Sequence, residues 1–250
     1  MTIAANRVFH VNVNCSSLDR SLAFYRDTLG LAPGARTTPA APQPGEAFGL
    51  DAVQWDAFMM SGADGMRAPV VDLLEWKVPE PVGHPPGATT AYGFSALHVT
   101  TPSATDRRVV RDPDGTLVVV EPGDKVAVTG VTLGCSDGTR TRAFLVDVLG
   151  FTADGAHARD GSGAFDVEIV EVGQRDGRVD APHANHLGIF RVALMTDDLA
   201  RDDDTLRAAG VRCYSAPVTL DMGPGLPALR ALFFADPDGA TFELIETPRV

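Results

Sequence analysis

Along RVFHVNVNC, residues 7–15, apolar and polar positions alternate: Val11 and Val13 point one way, His10, Asn12 and Asn14 the other. A period of two is that of a strand with different surroundings on its two faces. The period then lengthens. Leu18, Leu22, Tyr25 and Leu29 recur at helical spacing, which predicts an amphipathic helix ended by Gly30, while Ser16, Ser17 and Asp19 all offer N-cap chemistry. Further strands are predicted in QWDAFMM (54–60) and VVDLLEWKV (70–78), and another follows the D-P-D-G turn of RDPDGTLVVVEP (111–122).

The pattern then returns. Shifted by 120 residues, HVNVNCSSLDRSLAFYRDTLG (10–30) lies over GVTLGCSDGTRTRAFLVDVLG (130–150) without a gap, and nine of 21 positions agree. The closing motif returns as ADPDGATFELIETP (235–248). Such self-similarity marks a tandem duplication, with modules at 1–123 and 126–250. Each module divides again, the four units beginning near residues 8, 93, 126 and 188. Between Thr196 and Asp236 there is room for a helix within DDLARDDDTLRAAG, but only ten residues separate Thr101 from Asp112. Unit two therefore lacks its helix and a strand, which widens a cavity or leaves a face for a partner chain, a second copy included. Gly/Pro-rich linkers fall at 33–47, 79–91 and 173–186, and TLDMGPGLPALR (219–230) reads as a lid loop.

Composition narrows the class. A formal charge of −12 lacks the basic footprint of nucleic-acid or anionic-membrane binding. No apolar run nears a membrane span, the first residues lack the pattern of a secretion signal, and three cysteines form no C-x-x-C pair. A cytoplasmic protein with a small-molecule ligand is the expectation.

The strand–helix–strands order, F-Y-R-D-T-L-G-L, and D-P-D-G-x-x-x-E-L together resemble the vicinal oxygen chelate superfamily over nearly the whole chain. The resemblance implies an α+β fold of four βαβββ-type units in two tandem half-barrel domains. It also implies a His on the first strand and a carboxylate on the last strand of each unit, holding a divalent ion that polarises substrate oxygens. Those slots fall on His10, Asp72, Ala96 and Val119 in the first half, and on Gly130, Glu168, Arg191 and Glu243 in the second. Neither half has the full set. Two residues beyond the empty slots, His98 and Glu121 allow a displaced site of His10, His98, Asp72 and Glu121 for iron, manganese, zinc or nickel.

Without metal, His10 and His98 would face one cavity as acid and base, with Asp72 sharing a proton. The plainer alternative makes both histidines scaffold. In the second half, Arg191 between Glu168 and Glu243 reads as a buried ion network or as a grip on a substrate oxygen. Trp76 flanks the strand end or caps a cavity. His183 and His186, three apart in a linker, are weak metal candidates. The functional expectation is an enzyme moving a proton on, isomerising, cyclising or cleaving a small oxygenated metabolite. A metal-free sequestering protein is the rival.

Overall fold

The computed structural model describes residues 2–5, 7–87, 91–172 and 183–246. Unit one comprises β1 (Arg7–Asn14), α1 (Leu18–Asp27), β2 (Ala32–Thr37), the short β3 (Gln43–Pro44), β4 (Ala52–Ser61) and β5 (Val70–Val78). Unit two has only β6 (Gly93–Thr101), β7 (Arg108–Arg111) and β8 (Leu117–Pro122), with no helix among its described residues. Unit three runs through β9 (Ala127–Cys135), α2 (Gly138–Ala143) with a π turn at Phe144–Val148, β10 (Thr152–Asp154), β11 (His157–Arg159) and β12 (Asp166–Glu171). Unit four holds β13 (Gly188–Thr196), α3 (Leu199–Ala208), β14 (Val218–Leu220), β15 (Leu229–Ala235) and β16 (Thr241–Glu246). The expected α+β class and the helix-less second unit are both found.

Strand carboxylates assist the helix starts, alongside the local N-caps Asp137 of α2 and Asp198 of α3. The backbone N–H of Leu18 donates to the Glu75 carboxylate from the end of β5 at 2.8 Å, and Gly138 N–H donates to Glu171 from β12 at 2.7 Å. In α1 the N-cap Ser17 contributes no side-chain bond, so the expected Ser/Asp cap is replaced by a carboxylate from the unit's last strand. That carboxylate also suits the positive end of the helix dipole. After α1 the chain turns at Gly30, whose φ of +79° is open to glycine and strained for other residues.

The pairing of units is what positions the site. One sheet runs β14-β15-β16-β13-β1-β5-β4-β2, with β3 paired to β4; the other runs β10-β11-β12-β9-β6-β8-β7. Unit one is thus joined to unit four, and unit two to unit three. The modules at 1–123 and 126–250 are repeats in sequence, but neither closes a sheet by itself. The cause is the antiparallel first-strand pairing, in which β1 lies against β13 and β6 against β9. The Val11 and Val13 face joins Leu97, Val131, Val167 and Val192 in one apolar core. The opposite face, carrying His10, Asn12 and Asn14, is buried as well, beside a second cluster that includes Phe48, Trp55, Trp76 and Phe233.

Candidate functional site

Four adjacent strands of the first sheet each bring one polar side chain to a common point: Asp72 from β5, His10 from β1, Arg191 from β13 and Glu243 from β16. All four are buried. Arg191 Nε donates to Glu243 Oε2 at 2.7 Å, and its Nη2 donates to Asp72 Oδ2 at 2.9 Å. Asn12 Nδ2 also donates to Asp72 Oδ2, at 3.1 Å. The guanidinium lies near the rings of Phe190 and Phe233, 5.9 and 5.7 Å from their centroids, a favourable environment for a delocalised cation.

His10 reaches both carboxylates at longer range. Its Nε2 is 3.3 Å from Glu243 Oε2 and 3.9 Å from Asp72 Oδ2. Neither ring nitrogen has a hydrogen-bond partner, and Arg191 Nη1 lacks one too. Buried polar atoms are nearly always paired, so unspent donors and acceptors around one hollow mark a place for a guest molecule or ordered water. Burial alone would raise the Glu243 carboxyl, but the Arg191 guanidinium and His10 hold it below its ordinary value.

The hollow has a volume of about 100 Å³. Its remaining walls are largely apolar, with Phe48, Trp55, Met59 and Leu74 among them, and Leu220, Met222 and Leu229 from the unit-four loop close one side. That loop is tied to unit one, since Thr38 N–H donates to the Met222 carbonyl at 3.1 Å and Asp221 N–H to Gln43 Oε1 at 2.9 Å. The segment read as a lid does border the cavity. A larger, more open groove of about 870 Å³ lies between the π turn and the Asp236–Gly239 turn. It is away from the His10–Arg191 cluster and is bordered by one residue with an unpartnered buried atom, Asp236, whereas His10, with both ring nitrogens unpartnered, and Arg191, with Nη1 unpartnered, both line the smaller hollow.

His10 and His98 do not share a cavity, because β1 and β6 belong to different sheets. The expected joint site of His10, His98, Asp72 and Glu121 is therefore corrected: His10 and Asp72 meet Arg191 and Glu243 instead. His98 lies opposite Gly130 and Val119. Its Nε2 is 2.8 Å from Thr132 Oγ1, which donates to Glu168 Oε2 at 3.0 Å, so His98 Nε2–H is the donor. Burial lowers the His98 ring below its ordinary value, against the pull of Glu168 and Glu121. Glu121 itself pairs with Arg107 at 3.0 Å near the surface.

Glu168 is likewise separated from Arg191 and Glu243, lying in the other sheet on β12. On β9, the position that repeats His10 has no room for a side chain, since a Cβ on Gly130 would stand 2.2 Å from the Asp166 carbonyl oxygen. Trp76 is 1% exposed, donates from Nε1 to Asn14 Oδ1 at 3.0 Å, and backs Trp55 instead of lining the hollow. Trp55, the cross-strand partner of Trp76, borders it. Strand alternation places both indoles on one face and does not distinguish them. His183 is exposed and its ring lies 5.7 Å from that of His186, beside a segment (173–182) outside the described residues.

The donor set does not suit a divalent ion as it stands. Asp72 and Glu243 spend oxygens on Arg191. Among the described residues no three His, Cys, Asp or Glu side chains are arranged to hold a metal.

Four adjacent strands of a sheet assembled from both sequence repeats thus feed ionisable side chains to one hollow. The chain belongs to the Glyoxalase/Bleomycin resistance protein/Dioxygenase superfamily, whose family model matches residues 7–106 and 127–244. Among solved structures it is similar to glyoxalase I from Zea mays, with 16% identity and a TM-score of 0.66, covering 97% of this chain and 92% of that one. It also resembles a Bacillus subtilis protein provisionally described as a dioxygenase, with 13% identity, a TM-score of 0.64, and coverage of 100% and 87%. At such identities the likeness is one of fold. No curated protein sequence matches the chain. No helix among the described residues is long and apolar enough to cross a membrane.

Proposed function

We propose that this protein is an enzyme that moves a proton on a small oxygen-bearing molecule held in the His10 hollow, with Arg191 supplying the positive charge. The observation that carries this reading is His10 itself, 2% exposed with both nitrogens unpartnered, facing the same hollow as the unpartnered Arg191 Nη1. Arg191 would donate from Nη1 to a substrate carbonyl oxygen. His10 would take the proton from the neighbouring carbon, the C–H electron pair moving toward that oxygen. Glu243, 3.3 Å away, would steady the imidazolium so formed. Return of the proton to a different atom or face completes an isomerisation. Asp72 and Glu243 are positioning residues, because they hold the guanidinium.

Solvent-deuterium incorporation into small ketones and α-hydroxyketones, followed by NMR, tests the reaction without knowledge of the product. The expected result is exchange catalysed by wild type and reduced about 100-fold or more in His10→Gln. Equal exchange by the two proteins would overturn the role of His10, and no exchange by wild type would overturn the enzyme reading.

The apolar wall of Phe48, Trp55 and Met59 favours a second reading, sequestration of a flat, mostly apolar compound. Under that reading Trp55 fluorescence responds to ligand equally in wild type and His10→Gln, and neither protein exchanges deuterium.

A further inference from the structure

The spacing of the donors around Arg191 carries an argument of its own. With metal–ligand bonds of about 2.0–2.2 Å, two donors on one tetrahedral ion stand about 3.4 Å apart. His10 Nε2 and Glu243 Oε2 are 3.3 Å apart, and His10 Nε2 and Asp72 Oδ2 are 3.9 Å apart. The imidazole nitrogen thus stands near ligand separation from each of two carboxylate oxygens, while the two carboxylates are held on either side of the guanidinium. The guanidinium bonds to both carboxylates and keeps the set from closing on one point.

Charge agrees with geometry. If Arg191 were replaced by a neutral donor, two carboxylates would face one buried centre with no cation, the charge that a divalent ion neutralises. We infer that Arg191 is a built-in cation seated in a latent metal site, and that its side chain keeps a first-row divalent ion from being bound by His10, Asp72 and Glu243. The site is then one substitution from binding metal. The inference deepens the metal-free reading of the same hollow, but its test needs no substrate, so failure of the proton-transfer proposal leaves it standing.

The test is a Co²⁺ titration of the chelator-treated full chain, read by visible absorbance and by metal content after desalting. Wild type is expected to retain no cobalt and show no visible band. Arg191→His is expected to bind about one equivalent per chain, with ligand-field bands that disappear when His10→Ala is added. A wild-type cobalt band abolished by His10→Ala would overturn the inference, as would a folded Arg191→His protein that binds none.

Should Arg191→His fail to fold without metal, Zn²⁺ decides the matter. Recovery of native circular dichroism and a higher Tm with Zn²⁺, absent in wild type, supports the latent site, because a ligand bound only by the native state stabilises it. No recovery overturns it.

Discussion

Two buried carboxyls show how differently the fold treats like groups. Glu243 sits against a guanidinium and is held below its ordinary value. Asp236, in the second D-P-D-G turn, has one oxygen without a partner, and burial pushes it up to about 6. The linkage signs are opposite. Glu243 contributes stability that is present above its unfolded value and lost as pH falls through its lower folded value. Asp236 retains its proton in the fold to a higher pH than when unfolded, so its contribution declines as pH rises from about 4 to about 6. Roughly 1 kcal/mol of that decline falls between pH 5 and 7, where Glu243 stays ionised. Urea unfolding at these two pH values should show the decline in wild type and lose that component in Asp236→Asn; an unchanged difference would contradict the account. At this scale the family resemblance, laid on the strand pattern, named His10 and Asp72 in one half and Arg191 and Glu243 in the other as candidates. What it lacked was the partner of each, since Arg191 meets Asp72 across 119 residues through pairing of β1 with β13.

The elements are locked to one another by repeated polar contacts. Ser16 and Arg20 of the first unit bond Asp114 in the D-P-D-G turn of the second, and Ser136 and Arg140 bond Asp238 in the same way. The copies differ at one point. Tyr25 donates its hydroxyl to Asp112 Oδ2 at 3.2 Å, but Leu145 stands at the repeat position, and the equivalent oxygen of Asp236 is left alone. Tyr25→Phe should therefore destabilise the protein by about 1–3 kcal/mol, the usual effect of stranding a buried acceptor. Leu145→Phe, which touches no such bond, gives a packing comparison. A Tyr25→Phe Tm equal to wild type would show that the bond contributes nothing. The order of elements was readable because hydrophobic periods of two and of three to four survive in each unit. The cap of α1 was not, because the Glu75 carboxylate comes from a distant strand, whereas α2 and α3 are capped locally by Asp137 and Asp198.

For the whole molecule, the important consequence is that each sheet is built from both halves. A chain cut between the repeats would leave β1 without β13 and β6 without β9, exposing long unpaired strand edges. Residues 1–123 and 124–250 expressed singly should be unfolded or aggregated, whereas co-expression should restore a native-like species of the full mass. Soluble folded halves would mean that each closes its own sheet after all. Duplication was plain from the sequence, but duplicated units can pair within a half or across halves with the same local patterns. That ambiguity placed His98 beside His10 in expectation, and the strand order separates them.

The central claim, that His10 and Arg191 together form a ligand site whose positive charge is the guanidinium, is most directly tested by a crystallographic map with anomalous data. The protein should be purified without chelator and soaked with a small ketone. The account predicts density for an oxygen within hydrogen-bond distance of Arg191 Nη1, beside the His10 ring, and no anomalous peak. An anomalous peak within bonding distance of His10 Nε2 and Glu243 Oε2, or a His10 ring turned into the apolar wall, would contradict it.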